Sequence, residues 1–287
     1  RHQRMSTPSS SRSERRAAGE IAGTKQSRAG RNLPIAFAVG VSLGVAIIAS
    51  LVIRKEAFLA VVTVAVCIGV WEMREGLAQG KINVPLVPSI VGAITMITAT
   101  FAGGGQALTV CFGLTCVSIL LWRMADGLQD AIRDIAGGIF VAAYVPLLAS
   151  FSILMLAAPD GVQRIFVFML VTICSDVGGF AVGVVLGRHP MAPSVSPKKS
   201  WEGAAGSAVA CVLAGVVTVM VMLGGRWWVG IVIGLAVVVS ATVGDLTEST
   251  IKRDLGIKDM GKILPGHGGF MDRLDSLLFS APVVWAL

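Results

Sequence analysis

The chain reads as an all-α polytopic integral membrane protein with about nine transmembrane helices. Three observations carry that reading: an apolar composition, apolar runs of bilayer length, and basic side chains confined to one side. With 54% hydrophobic and 14% charged residues and a mean hydropathy of +0.78, the chain holds more apolar surface than a soluble domain buries.

Runs long enough to cross the roughly 30 Å hydrocarbon core lie near 33–53, 57–73, 84–102, 106–122, 135–158, 164–186, 204–224 and 227–247. A last run begins at Ser276 and is still apolar at Leu287. About twelve residues is short of a span, so that helix is either truncated or crosses in part. The chain therefore divides into a tail over 1–32, N-terminal transmembrane helices over 33–158 and a C-terminal transmembrane region over 159–287. Two polar motifs, 196–203 and 245–275, fall in the last of these.

The net charge of +7 is concentrated in the tail, where eight Lys and Arg side chains face only Glu14 and Glu20. Rich in Ser, Gly and Ala, the tail lacks the apolar groups whose burial would offset ordering, so disorder is expected. Its charge acts as a topology determinant that touches anionic headgroups. This patterning excludes nucleic-acid binding.

With the N-terminus in the cytoplasm and sides alternating, only Arg54, Lys55, Arg164 and Arg226 of the 24 basic side chains fall outside, as the positive-inside rule requires. Trp71, Trp122, Trp227 and Trp228 sit near run ends, where interfacial aromatics belong. Both polar motifs then face the cytoplasm, at the mouth of a polar funnel between the last helices. The first run lies too far from the start, and is too long, for a cleaved signal peptide. All five cysteines fall within spans with no C-x-x-C pair, so they read as small buried hydrophobes.

The chemistry is concentrated in the polar island Asp245 to Asp275. From Glu248 onward, Lys252, Arg253, Lys258, Lys262 and Arg273 balance Glu248, Asp254, Asp259, Asp272 and Asp275. Pro265, Gly266, Gly268 and Gly269 set a specific backbone path through it. Asp245, Ser249 and Lys252 are spaced four and three apart, so a helix leaving the eighth span places them on one face. Asp272 and Asp275, three apart, share a face at the start of the last run. Taken alone that pair is an ordinary helix-dipole partner; with Asp245 it forms a three-carboxylate cation site whose hard oxygens favour magnesium. His267 between two glycines reads as a turn-stabilising group first, with a general base or a phosphate contact as the alternative.

The second motif, Ser196 to Gly203, reads as a loop whose Ser196, Lys198, Lys199 and Ser200 suit a nucleotide or lipid phosphate. Lys252, on the face of Asp245, is expected at the reacting phosphates, and Lys198 and Lys199 at the rest of the nucleotide or the lipid headgroup. Asp176 falls mid-span, where an uncompensated carboxylate is costly, and is expected to face a polar cavity. Gly179, Gly183 and Gly187 recur every four residues and give a smooth face for close helix packing.

Together these residues resemble the phosphatidate cytidylyltransferases, or CDP-diacylglycerol synthases. The family signature is complete here as Ser249, Lys252, Arg253, Lys258, Asp259, Gly261, Pro265, His267, Gly268, Gly269, Asp272, Arg273 and Asp275. Ser196–Gly203 is similar to the family's second motif, which often has Thr where Ser200 stands. Residues 1–160 fit the family in hydropathy only. The resemblance implies CTP and phosphatidic acid as substrates and Mg2+ with K+ as a candidate second cation, in the bacterial plasma membrane, while the Gly-rich sixth run and its neighbouring small residues suit a homodimer. It implies Asp245 and Asp272 as metal-holding catalytic carboxylates, with Asp275 and Asp176 as weaker candidates. Lys252, Lys198, Lys199 and Arg273 would hold phosphates, and Ser249 would orient a phosphate or complete the metal shell. Two other readings stand beside it. A sister enzyme acts on an isoprenoid ether lipid phosphate, and a transporter built around Asp176 explains the spans while leaving Ser249–Asp275 unexplained. No G-x-x-x-x-G-K-[ST] loop is present, which gives a P-loop ATPase no support.

Overall fold

A computed structural model describes residues 33–127, 129–193, 195–257, 259–261 and 269–287. The tail 1–32, Lys258, His267 and Gly268 lie outside the described residues, as do the side chains of Pro197 and Lys198.

The apolar runs are helices, and their breaks have local causes. Helix α1 (Leu33–Ile53) passes into α2 (Lys55–Gln79) at Arg54, whose extended backbone (φ −159°, ψ 144°) interrupts the ladder. Helix α2 outlasts the apolar run near 57–73 by more than a turn. Element α3 (Leu86–Ala125) has 40 residues; a straight helix of that length would run about 60 Å, twice the hydrocarbon core. Gly104 breaks it, at φ 63° and ψ −152°, a conformation that a residue with a Cβ rarely adopts. Beyond the break the helix folds back, so that a Cβ on Gly92 would strike the side chain of Thr115. The runs near 84–102 and 106–122 are thus two limbs of one hairpin.

Helix α4 (Ala131–Ala142), a π segment (Ala143–Leu147) containing Pro146, and α5 (Leu148–Ala157) follow as one apolar stretch. Proline withholds an amide donor, and the wider π turn accommodates it. Helix α6 (Gly161–Leu186) leads into strands β1 (Pro190–Ala192) and β2 (Ser196–Ser200), followed by α7 (Trp201–Met222), α8 (Trp227–Asp254) and α9 (Met271–Ala286).

Among the described residues, six helices are long and apolar enough to cross a membrane: α2, α3, the stretch Ala131–Ala157, α6, α7 and α8. The protein is an α-helical membrane protein with one departure from the all-α expectation. Segment 196–200 is not a loop but a strand, paired antiparallel with β1 so that Pro190 lies opposite Ser200. Glu202 secures the ribbon: its Oε2 accepts the amides of Arg188 and His189, both at 3.2 Å, and its Oε1 lies 2.6 Å from His189 Nδ1. The Ser200 hydroxyl accepts the Gly203 amide at 3.1 Å and so caps α7.

Helices α6, α7 and α8 pack extensively on one another. Their crossings are backbone-close, as in other membrane helix pairs built on small residues. A Cβ on Gly178 would fall 2.9 Å from the Gly206 carbonyl oxygen, and one on Gly230 would meet Gly215 and Val216 backbone at 2.5 Å. Of the glycines spaced four apart on α6, Gly179 abuts Ser207, while Gly183 and Gly187 lie against Ser200. Ser207 also donates to the Ser175 carbonyl at 2.6 Å. Helix α2 supplies a second small-residue face, Gly69 and Gly76, on which Leu274 and Met260 rest. The core runs through Val70, Met73, Val145, Ile153, Val171 and Met271, all fully buried.

Candidate active site

The site forms where the end of α8 meets the start of α9. At Gly244 the two backbones nearly touch, since a Cβ there would lie 2.5 Å from the Asp275 carbonyl oxygen. Side chains one turn further along each helix must therefore face one another. Asp245, Glu248 and Lys252 project from α8 at i, i+3 and i+7, and Asp272 and Asp275 answer from α9.

Lys252 Nζ is 2.6 Å from Asp272 Oδ1 and 3.5 Å from Glu248 Oε1. Lys199 crosses from β2 to pair with Asp245. Asp275 Oδ1 accepts the Ser276 amide at 2.7 Å. The Ser276 hydroxyl in turn donates to Asp176 Oδ1 at 3.4 Å, which ties the mid-span acid of α6 to the same centre.

Beside these groups lies a cavity of about 440 Å³ whose lining includes Asp176, Lys199, Asp245, Asp272, Arg273 and Asp275. Its opposite wall is Gly179, Gly183, Gly203 and Ala204, so the close crossing of α6 and α7 also keeps that side open. Asp176 is exposed and lines the cavity, where a mid-span carboxylate meets other polar groups.

Other expected residues distribute unevenly. Ser249 is half-buried on α8, one residue beyond Glu248. Arg253 Nε donates to the Val195 carbonyl at 3.4 Å and joins α8 to the ribbon. Asp259 is exposed. Gly269 is close to the centre, its amide donating to Asp272 Oδ2 at 2.9 Å. Lys199 stands beside Asp245 itself, not at a remote part of the site.

Two acids of this neighbourhood were not among the expected site residues. Glu248 is fully buried, and neither of its carboxylate oxygens has a hydrogen-bond donor among the described residues. Its signal was the three-residue step from Asp245. Glu72, also fully buried, accepts the Met271 amide at 2.8 Å from distant α2; its signal was a carboxylate inside the apolar run near 57–73.

The donor set suits a hard cation. Among the described residues, five carboxylates, Asp176, Asp245, Glu248, Asp272 and Asp275, gather with Lys199, Lys252 and Arg273, so acids outnumber bases and leave room for added positive charge. Among the described residues no three acids converge as a ready cage; the ammonium groups of Lys199 and Lys252 lie between them instead.

The fold and the site define an α-helical membrane protein with acids and basic side chains gathered round a cavity. The model described as the Cytidylyltransferase family matches residues 35–287, and the chain belongs to that family. It is 39% identical to a phosphatidate cytidylyltransferase of Mycobacterium bovis over 94% of this chain and 92% of that protein. It is likewise 39% identical to one of Mycobacterium leprae over 91% of this chain and 88% of that protein. A phosphatidate cytidylyltransferase of Brucella suis is 34% identical over 63% of this chain and 65% of its own length.

Proposed function

We propose that this chain transfers CMP from CTP to phosphatidic acid, giving CDP-diacylglycerol and pyrophosphate. The observation that carries the reading is the pairing of Lys252 with Asp272, which draws both ends of the Ser249–Asp275 signature to the edge of one acid-rich cavity. The relatives carry the same named activity over most of their length.

A phosphate oxygen of phosphatidic acid attacks the α-phosphorus of CTP, and the bond from that phosphorus to the pyrophosphate oxygen breaks. The attacking phosphate is already anionic near neutral pH, so no residue need remove a proton. What the protein must do is bring two polyanions together and hold the leaving charge. Lys252, Lys199 and Arg273 supply the fixed positive charge, with Lys198 as a further phosphate contact, and Ser249 orients a phosphate. Asp245, Asp272 and Asp275, supported by Glu248, would hold magnesium, which would supply positive charge to offset that of the phosphates. Binding requires Lys199 and Lys252 to exchange their carboxylate partners for phosphate oxygens. The glycine wall of α6 and α7 leaves room for the headgroup while the acyl chains stay in lipid.

The further reading is nine spans, with the N-terminus, both motifs and the cavity mouth at the cytoplasmic face of a bacterial plasma membrane. Halving α3 at Gly104, taking Ala131–Ala157 as one crossing and adding α1 and α9 supports that number. A homodimer and a second cation such as K+ belong to the same proposal.

The test is purified protein with radiolabelled CTP, magnesium and either phosphatidic acid or an isoprenoid ether lipid phosphate. Label passing into the lipid phase with phosphatidic acid is the expected result. Preference for the ether lipid would transfer the assignment to the sister activity. No lipid label with either acceptor would overturn it.

A further inference from the structure

Glu72 lies in the N-terminal half, 199 residues before Met271. It is nonetheless fully buried beside the start of α9. Its Oε2 accepts the amide of Met271, the first residue of α9, at 2.8 Å. The first amides of a helix have no partner within the helix, and a carboxylate there is favoured by both hydrogen bonding and the helix dipole.

The same carboxyl fills the neck at which the chain leaves at Gly261 and returns at Gly269. A Cβ on Gly261 would collide with Glu72 Oε1, and one on Gly269 would lie 3.0 Å from Glu72 Oε2, 2.8 Å from Asp272 Oδ2 and 2.7 Å from the Gly261 nitrogen. Asp272 closes the neck from the opposite side, its Oδ2 accepting the amides of Gly269 at 2.9 Å and Met260 at 3.4 Å. Its other oxygen holds Lys252 at 2.6 Å. Glu72 thus orders the backbone that presents Asp272, without itself reaching the cavity. Its surroundings leave little freedom: on the same face of α2, Gly69 lies against Met271 and Gly76 against Met260, both placed by glycine-close contacts.

We propose that Glu72 is a positioning residue that fixes Asp272 by capping the first turn of α9 and filling the Gly261–Gly269 neck. This rests on the cytidylyltransferase reading of the site. Glutamine keeps an oxygen that accepts the Met271 amide, whereas alanine removes it and leaves a void between the two glycines.

The experiment compares purified full-length wild type, Glu72→Gln, Glu72→Ala and Gly261→Ala for steady-state kinetics and for amide hydrogen exchange. Glu72→Ala is expected to lower kcat at least ~30-fold with KM for CTP within about threefold, because the loss falls on geometry needed in the transition state. Glu72→Gln is expected to recover kcat to within about fivefold of wild type through the retained acceptor. Exchange in Glu72→Ala should quicken at residues 269–272 and stay unchanged in α6 and α7. Gly261→Ala, which drives a methyl group into the Glu72 carboxyl, should lower kcat in the same manner, and it decides the matter if Glu72→Ala does not purify. Wild-type kcat in either alanine variant, Gln falling as far as Ala, or faster exchange spread through α6 and α7 would each overturn the proposal. A wild-type protein that labels no lipid defeats the activity itself, which separates that failure from failure of the role given to Glu72.

Discussion

Lys252 and Asp272 are 20 positions apart in the chain and 2.6 Å apart in space, joining the last turn of α8 to the first turn of α9. The pair is mostly buried, so neither charge is well screened by water, and each depends on the other until phosphate and cation replace them.

Removing the negative charge without changing shape tests the cation site. Asp272→Asn and Asp245→Asn are each expected to lower turnover by about 10³-fold or more while the protein still inserts and purifies, the scale of losing a main electrostatic contributor. Asp275→Asn should be harmful to a smaller degree. Steady-state assays across a magnesium titration check this. Wild-type rate in either of the first two variants at saturating magnesium, or full activity after chelation, contradicts the assignment.

The pairing of Lys199 with Asp245 alters what is expected of the β-ribbon. Lys199→Ala and Lys252→Ala should each depress kcat by roughly 10²-fold, because both ammonium groups stand beside the carboxylates of the proposed reacting centre. Lys198→Ala should mainly raise KM for one substrate, the pattern of lost uniform binding. Kinetics that left kcat intact in Lys199→Ala would return that residue to the periphery.

Helix packing offers a paired stability test. Gly230→Ala places a methyl group 2.5 Å from the backbone of α7 and should cost about 1–3 kcal/mol, as overpacking does. Gly113→Ala meets nothing within 4 Å and lies within a helix, where alanine is the better former, so its effect should be neutral or stabilising. Thermal midpoints in a fixed detergent compare the two. Equal midpoints would show that the α7–α8 crossing has slack that its backbone contacts deny.

Topology is checked by single cysteines in a background freed of the five native ones. Cysteine at Gln106, beside the Gly104 turn, should react with an impermeant thiol reagent from outside. Cysteine at Pro193 or Asp259, both exposed, should react from the cytoplasmic side only. Gln106 and Asp259 labelling from the same side would refute the hairpin as a pair of spans.

The sequence by itself determined the membrane class, the apolar runs and the chemistry of the C-terminal motifs, because each rests on local properties. Twenty apolar residues read as a span wherever they occur, and Asp245 and Lys252 share a helical face by spacing alone. Even the departure at Ser200 kept its hydroxyl for a local purpose, the cap of α7. Only the tertiary structure decided which charges meet. Lys199 reaches Asp245 because the ribbon between α6 and α7 folds over the end of α8, and no periodicity encodes that approach. The strand form of 196–200 needed its partner β1, since a strand is defined by hydrogen bonds to another segment. Glu72 shows the limit most clearly: one carboxylate at the end of an apolar helix has no local feature that names its partner. It acquires its place only when α2 and α9 pack and bury the Met271 amide beside it, where an unpaired donor would be costly.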